Sequence, residues 1–213
     1  MTASPTITRR RFHGLAVAAA GLAAVPFLGT GRALADLPSI EEMMAQRVMG
    51  DPDAPVTIHE YASLTCPHCK EFHDDTLPQV KEAYIDPGKA KLVMHEFPLD
   101  GAAAAGSMMA RCAPKERYFP IISTLFDKQQ DWARSENVLD ALSQVGRFAG
   151  MSQETLQACF ENEALFNAIR DARNEAAEMN DINSTPTFLI GETKIVGAQP
   201  FETFAEAIDS ALG

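Results

Sequence analysis

Two cysteines separated by a proline and a histidine, Cys66-Pro67-His68-Cys69, are the residues of this chain best suited to chemistry. Thiols at that spacing can close into a disulfide and open again, so the chemistry is thiol-disulfide exchange. The run from Val56 to Leu64 reads as a mostly buried strand. A helix is expected to start at Pro67, where the missing N–H costs nothing. Cys66 then stands at a helix N-terminus. Free backbone N–H groups and the positive end of the helix dipole favour its thiolate there, and a protonated His68 adds to the same field.

The elements that must hold this site follow from hydrophobic periodicity. After the first strand, a helix is expected from about Pro67 to Tyr84 with a kink at Pro78. A turn at Asp86-Pro87-Gly88 follows, and then a second strand from Lys91 to Phe97. From Ala102 to Met179 no strand pattern occurs. Leu165, Ala168, Ile169, Ala172, Ala176 and Met179 recur at helical spacing, and the run 101–106 reads as the start of a closely packed helix. After Pro186 the period changes. Thr187–Ile190 and Lys194–Val196, joined by 191–193, read as a hairpin, and Phe201, Phe204, Ala205, Ile208 and Leu212 describe a last amphipathic helix. The order β-α-β, long helical insert, β-β-α predicts an α/β core carrying a helical domain.

The first 35 residues bear on the redox environment. Thr8-Arg9-Arg10-Arg11-Phe12 is a twin-arginine pattern, an apolar run extends from Gly14 to Leu28, and Ala33-Leu34-Ala35 forms an A-x-A cleavage signal. Residues 1–35 are therefore expected to be an export peptide. Gly14, Gly21 and Pro26 break the apolar run too often for a confident membrane span, with a retained anchor as the alternative. Export by this route delivers a folded protein to an oxidising bacterial periplasm, where cysteine pairs persist as disulfides. The remaining 178 residues carry 14 basic and 29 acidic side chains, a net charge of −15. There is no Lys/Arg cluster, no phosphate-cradling Gly-rich loop and no RNA-binding aromatic signature, which argues against a nucleic-acid partner. The acidity reads as solubility.

Cys-Pro-His-Cys at a strand-helix junction, a helical insertion, and Ser184-Thr185-Pro186-Thr187 before a hairpin together resemble the DsbA-like disulfide oxidoreductases of the thioredoxin fold. The segments Gly50-Asp51-Pro52-Asp53-Ala54-Pro55-Val56 and Glu96-Phe97-Pro98-Leu99 are similar to segments of the periplasmic branch. The resemblance covers essentially all of the chain after the export peptide. It implies a thioredoxin-like domain in two parts, 36–101 and 181–213, with an all-helical insertion at 102–180. It also implies an exposed nucleophile at Cys66, a buried partner at Cys69, a cis proline at Pro186 opposite them, and a buried proton-relaying acid at Glu60. Strand alternation alone leaves Glu60 as either that acid or a solvated carboxylate. Thr185 departs from the valine of the archetypal oxidase and is familiar from isomerases and reductases. His59 and His73 are read as surface or packing residues.

The implied activity is insertion of disulfides into exported proteins with free cysteines, without a cofactor. Reoxidation would fall to a quinone-linked membrane partner docking near Cys66 and Pro186. The alternative is an isomerase or reductase using the same site. A more distant alternative is a copper or zinc binder using Cys66, Cys69 and His68 with Met43, Met44 and Met49, although structural zinc normally needs four ligands in recognisable spacing. Cys112 and Cys159 fall in the helical insert. An even cysteine count and an oxidising compartment favour a second disulfide, found in some bacterial members of the family, while two separate buried thiols stay open. Periplasmic isomerases of the family generally associate through an added N-terminal segment, and only about twenty residues lie between the export peptide and the first strand, so a monomer is expected, although Leu37, Ile40, Met44 and Val48 could form an associating helix across Ile40–Met49.

Overall fold

The computed structural model describes residues 37–213, so the expected export peptide lies outside the described residues. Ser39 and Glu42 form a capping box that starts a short helix, α1 (Ile40–Met44). It ends five residues earlier than the sequence suggests. Arg47–Met49 instead forms a strand, β1, antiparallel to a later strand with Val48 opposite Val93. Tertiary pairing overrides the local helical spacing, and Leu37, Ile40 and Met44 pack on the chain's own core. The C-terminal carbonyls of α1 are held by two buried arginines. Arg47 donates to the carbonyls of Glu42, Met43 and Ala45, and Arg111 to those of Met43 and Ala45.

β2 (Val56–Ala62) is the central strand, with Ile58 and Glu60 both fully buried. Cys66 follows as the N-cap of α2 (Pro67–Glu71). The helical path continues through a wide π-type turn at Phe72–Thr76, then α3 (Leu77–Val80) and a second wide turn at Lys81–Ile85. Pro78 sits in the first turn of α3, where it lacks an N–H without breaking the path. β3 (Ala90–Glu96) then lies parallel to β2.

From 101 to 179 the chain is helical: α4 (Gly101–Cys112), α5 (Tyr118–Asp127), α6 (Gln129–Ala133), α7 (Val138–Phe148), α8 (Gln153–Phe160) and α9 (Glu163–Met179), with one turn of 3-10 helix at Lys115–Arg117. Asp100, Asn137, Ser152 and Asn162 cap α4, α7, α8 and α9 with side-chain oxygens. Cys112 and Cys159 are bonded to each other, joining α4 to α8 with their Cα atoms 6.1 Å apart. β4 (Thr187–Ile190), β5 (Thr193–Val196) and α10 (Phe201–Leu212) complete the chain.

The five strands lie in the order β1-β3-β2-β4-β5, with β2 and β3 parallel and the other pairs antiparallel. One core runs without a break from the sheet into the helical insert, joining Phe72, Phe188 and Phe204 to Tyr118, Phe126 and Trp132. The rings of Phe72, Phe188 and Phe204 meet at centroid distances of 4.4 to 5.1 Å, fastening the first helical path and α10 to the sheet. Glu96 is buried at the end of β3, paired with Arg111 through both carboxylate oxygens and accepting from Tyr118 at 2.6 Å. This charge network ties the sheet to α4 and α5, and through Arg111 to α1.

Candidate active site

Cys66 adopts extended backbone geometry just before the helix, while Pro67 takes the first helical position. The N–H groups of His68 and Cys69 turn toward the Cys66 sulfur. Gln129, buried on α6, donates its side-chain amide to the carbonyls of Leu64 and Cys66 at 2.9 and 3.0 Å. These bonds hold the Leu64 and Cys66 carbonyls against the insert.

The Thr185-Pro186 peptide bond is cis. The reduced Cys66 thiol donates to the Thr185 carbonyl at 3.3 Å, joining residues 119 positions apart. Thr185 Oγ1 is buried, and apart from its stabilising effect on the Cys66 thiolate it has no hydrogen-bond partner. Cys66 is less exposed than the resemblance implies. Only 7% of it reaches solvent, whereas Cys69 is completely enclosed.

The two sulfurs are electrostatically unequal. Hydrogen bonding from Cys69 holds the Cys66 thiol down at about 5, against the opposing effect of burial and with help from the Thr185 side chain and the two backbone N–H groups. Burial, followed by the adjacent Cys66 sulfur, pushes Cys69 far above the usual thiol range. His68 stands in solvent and bonds Glu71 at 3.0 Å, which raises the imidazole above its usual value. The upward shift favours the positively charged imidazole beside Cys66.

Glu60 is fully buried, which removes the solvated-carboxylate reading. Its Oε1 meets His73 Nε2 at 2.8 Å, and its Oε2 has no partner. His73 is a packing residue as expected, but that bond gives it a polar partner the sequence reading missed. Its position four residues after Cys69, on the same helical face, was the available signal. His59 packs beside His95, with ring nitrogens 3.0 Å apart. Gln129 had no local signal, since its target carbonyls lie more than sixty residues away in sequence. Met43 belongs to the buried core, and no group of three or more His, Cys, Asp or Glu among the described residues is arranged to hold a metal ion.

A family model described as Thioredoxin matches residues 42–210. The chain therefore belongs to the thioredoxin family. A Rickettsia conorii protein carrying the provisional name protein-disulfide oxidoreductase is 30% identical over 166 residues, covering 78% of this chain and 60% of that protein. The chain thus spans about 60% of the length of that relative. Disulfide bond formation protein D of Bacillus subtilis is 27% identical, with 84% of this chain and 82% of that protein covered. The crystal structure of Wolbachia pipientis alpha-DsbA1 superposes with a TM-score of 0.74 at 28% identity, covering 83% of this chain and 94% of that one.

Proposed function

We propose that this protein is a thiol:disulfide oxidoreductase that introduces disulfides into exported proteins by exchange through Cys66 and Cys69. The carrying observation is the inequality of the two sulfurs, one lowered to about 5 and therefore a thiolate at neutral pH, the other enclosed and kept protonated. In the oxidised protein a client thiolate attacks Cys66 Sγ, and the Cys66–Cys69 bond breaks with its electron pair leaving on Cys69. A second client thiolate then attacks the client sulfur of the mixed disulfide and releases Cys66 as a thiolate. The stability of that thiolate makes Cys66 a good leaving group and drives electrons from client to enzyme. The uncovered edge of Cys66 beside Thr185 and Pro186 is the place for an extended client segment.

The export pattern at 1–35 supports a site of action outside the cytoplasm, reached by the twin-arginine route, with a quinone-linked membrane protein as reoxidant. The packing of Leu37, Ile40 and Met44 on their own core supports a monomer. A reading as isomerase or reductase is favoured by one residue, Thr185 before the cis proline. The deciding experiment compares oxidation of a reduced client with reshuffling of a scrambled one, both by the purified chain lacking residues 1–35. Rapid oxidation with little reshuffling is expected, and the reverse would assign the isomerase reading.

A further inference from the structure

His59 on β2 and His95 on β3 lie diagonally across the sheet, with His59 Nδ1 and His95 Nε2 3.0 Å apart. One of those nitrogens donates and the other accepts, so the bond exists only while at least one ring is neutral. The His95 ring also stacks on Tyr61, with centroids 4.6 Å apart and planes 16° from parallel. Tyr61 is buried, and its hydroxyl accepts from the Asn180 side chain at 3.0 Å. Asn180 caps the end of α9 and opens the loop that leads to Thr185 and Pro186. Next in that loop, Asp181 holds a left-handed backbone at φ 51°, costly for any residue but glycine, with its carbonyl on Lys194, and Ile182 packs with Tyr61 and Phe97. Tyr61 therefore anchors the loop at two points.

We propose that the His59–His95 pair is an acid-sensitive latch on the loop that carries Thr185 and Pro186. While the pair is bonded, His95 keeps Tyr61 in place. When acid protonates both rings, two donors and two like charges face each other, the rings separate, and Tyr61 loosens its hold on Asn180 and Ile182. The surroundings oppose the second proton. Burial, with Lys91 behind it, holds His59 below its usual value, and burial followed by the His59 ring and Arg111 holds His95 down at about 4. Glu96, which favours charge on His95, has both oxygens on Arg111, and Lys91 is turned to the Pro52 carbonyl. α9 faces His95 with Ile169, Ala172 and Ala176, which do not titrate, while its Arg173 rests over Phe97. β4 sets Leu189 opposite His59. Both folded values lie below that of a free imidazole, about 6.5. The latch thus stabilises the fold fully above that value, and its contribution is lost as pH falls toward about 4. Control of client exchange by the latch rests on the exchange reading above, whereas the latch itself is measured without a client.

Amide hydrogen exchange of the oxidised chain lacking residues 1–35, which has no Cys66 thiol to titrate, is the test. After correction for intrinsic rates, protection across residues 180–187 should fall by at least ~10-fold relative to α7 and α8 between about pH 6.5 and about pH 4.5, the loss that linkage gives for an imidazole held near 4. His95→Phe keeps a ring on Tyr61 but takes no proton, and should abolish most of that fall. Equal falls in both proteins, no fall in the unaltered protein, or a fall shared by α7 and α8 would overturn the proposal. NMR titration of the imidazoles in the unaltered protein covers a variant that does not fold: at most one proton on the pair down to about pH 5 supports the latch, and two independent titrations near the free value of about 6.5 refute it. Client oxidation by His95→Phe, divided by that of the unaltered protein so that protonation of client thiols cancels, should rise several-fold over the same pH range. A constant ratio would overturn the latch as a control on exchange. Absence of oxidation by both proteins at every pH would remove the exchange reading, with the amide result still deciding the latch.

Discussion

Around the Cys66 sulfur, Cys69, the Thr185 side chain and two backbone N–H groups act together, and their effect exceeds that of burial. Following the thiolate absorbance or the alkylation rate of the reduced protein against pH should give a midpoint near 5 for Cys66. Thr185→Val, which removes the side-chain oxygen but keeps the branched shape, should move that midpoint upward. The sign for stability follows from linkage. The folded value lies below that of an unfolded thiol, about 8.5. The thiolate therefore stabilises the reduced form fully above that value, and the contribution is lost as pH falls through about 5. The oxidised form has no Cys66 thiol to titrate and lacks this dependence. His68 contributes through charge, and its exposed bond to Glu71 should weaken as salt is added.

At the scale of elements, the site is a meeting of three chain segments. α2 and its N-cap residue supply the two cysteines and the N–H groups, the loop before β4 supplies Thr185 and Pro186, and α6 supplies Gln129. The contribution of α6 is separable by substitution. Gln129→Met keeps the bulk of the side chain and removes the donor, so both loop hydrogen bonds disappear inside the protein. We expect a loss of about 1–3 kcal/mol in urea unfolding, the range for depriving buried carbonyls of their donor. The Cys66 midpoint should rise as well, because the loop carbonyls are then free to turn toward the sulfur. A stability loss without any change at Cys66 would limit α6 to a structural role.

Across the whole molecule, the sheet and the helical insert share one core, and two devices brace the insert. One is the buried network of Glu96, Arg111 and Tyr118, which also reaches the carbonyls of α1. The other is the Cys112–Cys159 bond, which closes a loop between residues 47 apart in sequence. Loop-closure entropy at that length corresponds to about 4 kcal/mol. Replacing both cysteines with alanine should lower the urea midpoint accordingly while leaving exchange at Cys66 in place. Equal stability with and without the bond would mean that the reduced, unfolded chain already holds these segments together.

The candidate cysteine pair was legible in the sequence because Cys66-Pro67-His68-Cys69 is local: four residues define the two thiols, the helix start and the charge beside it. The sheet-forming segments β2 to β5, α10 and the strand-free stretch between them were legible for the same reason, since periodicity is a property of neighbours along the chain. Strand β1 was not, because Arg47–Met49 carries a helical pattern and becomes a strand only by pairing with β3. The burial of Glu60, its bond to His73, the grip of Gln129 on the active-site loop and the joining of Cys112 to Cys159 were likewise decided by the tertiary structure. Each depends on atoms far apart in sequence being brought within a few ångströms, and hydrophobic patterning specifies which face is buried but not which polar group waits there.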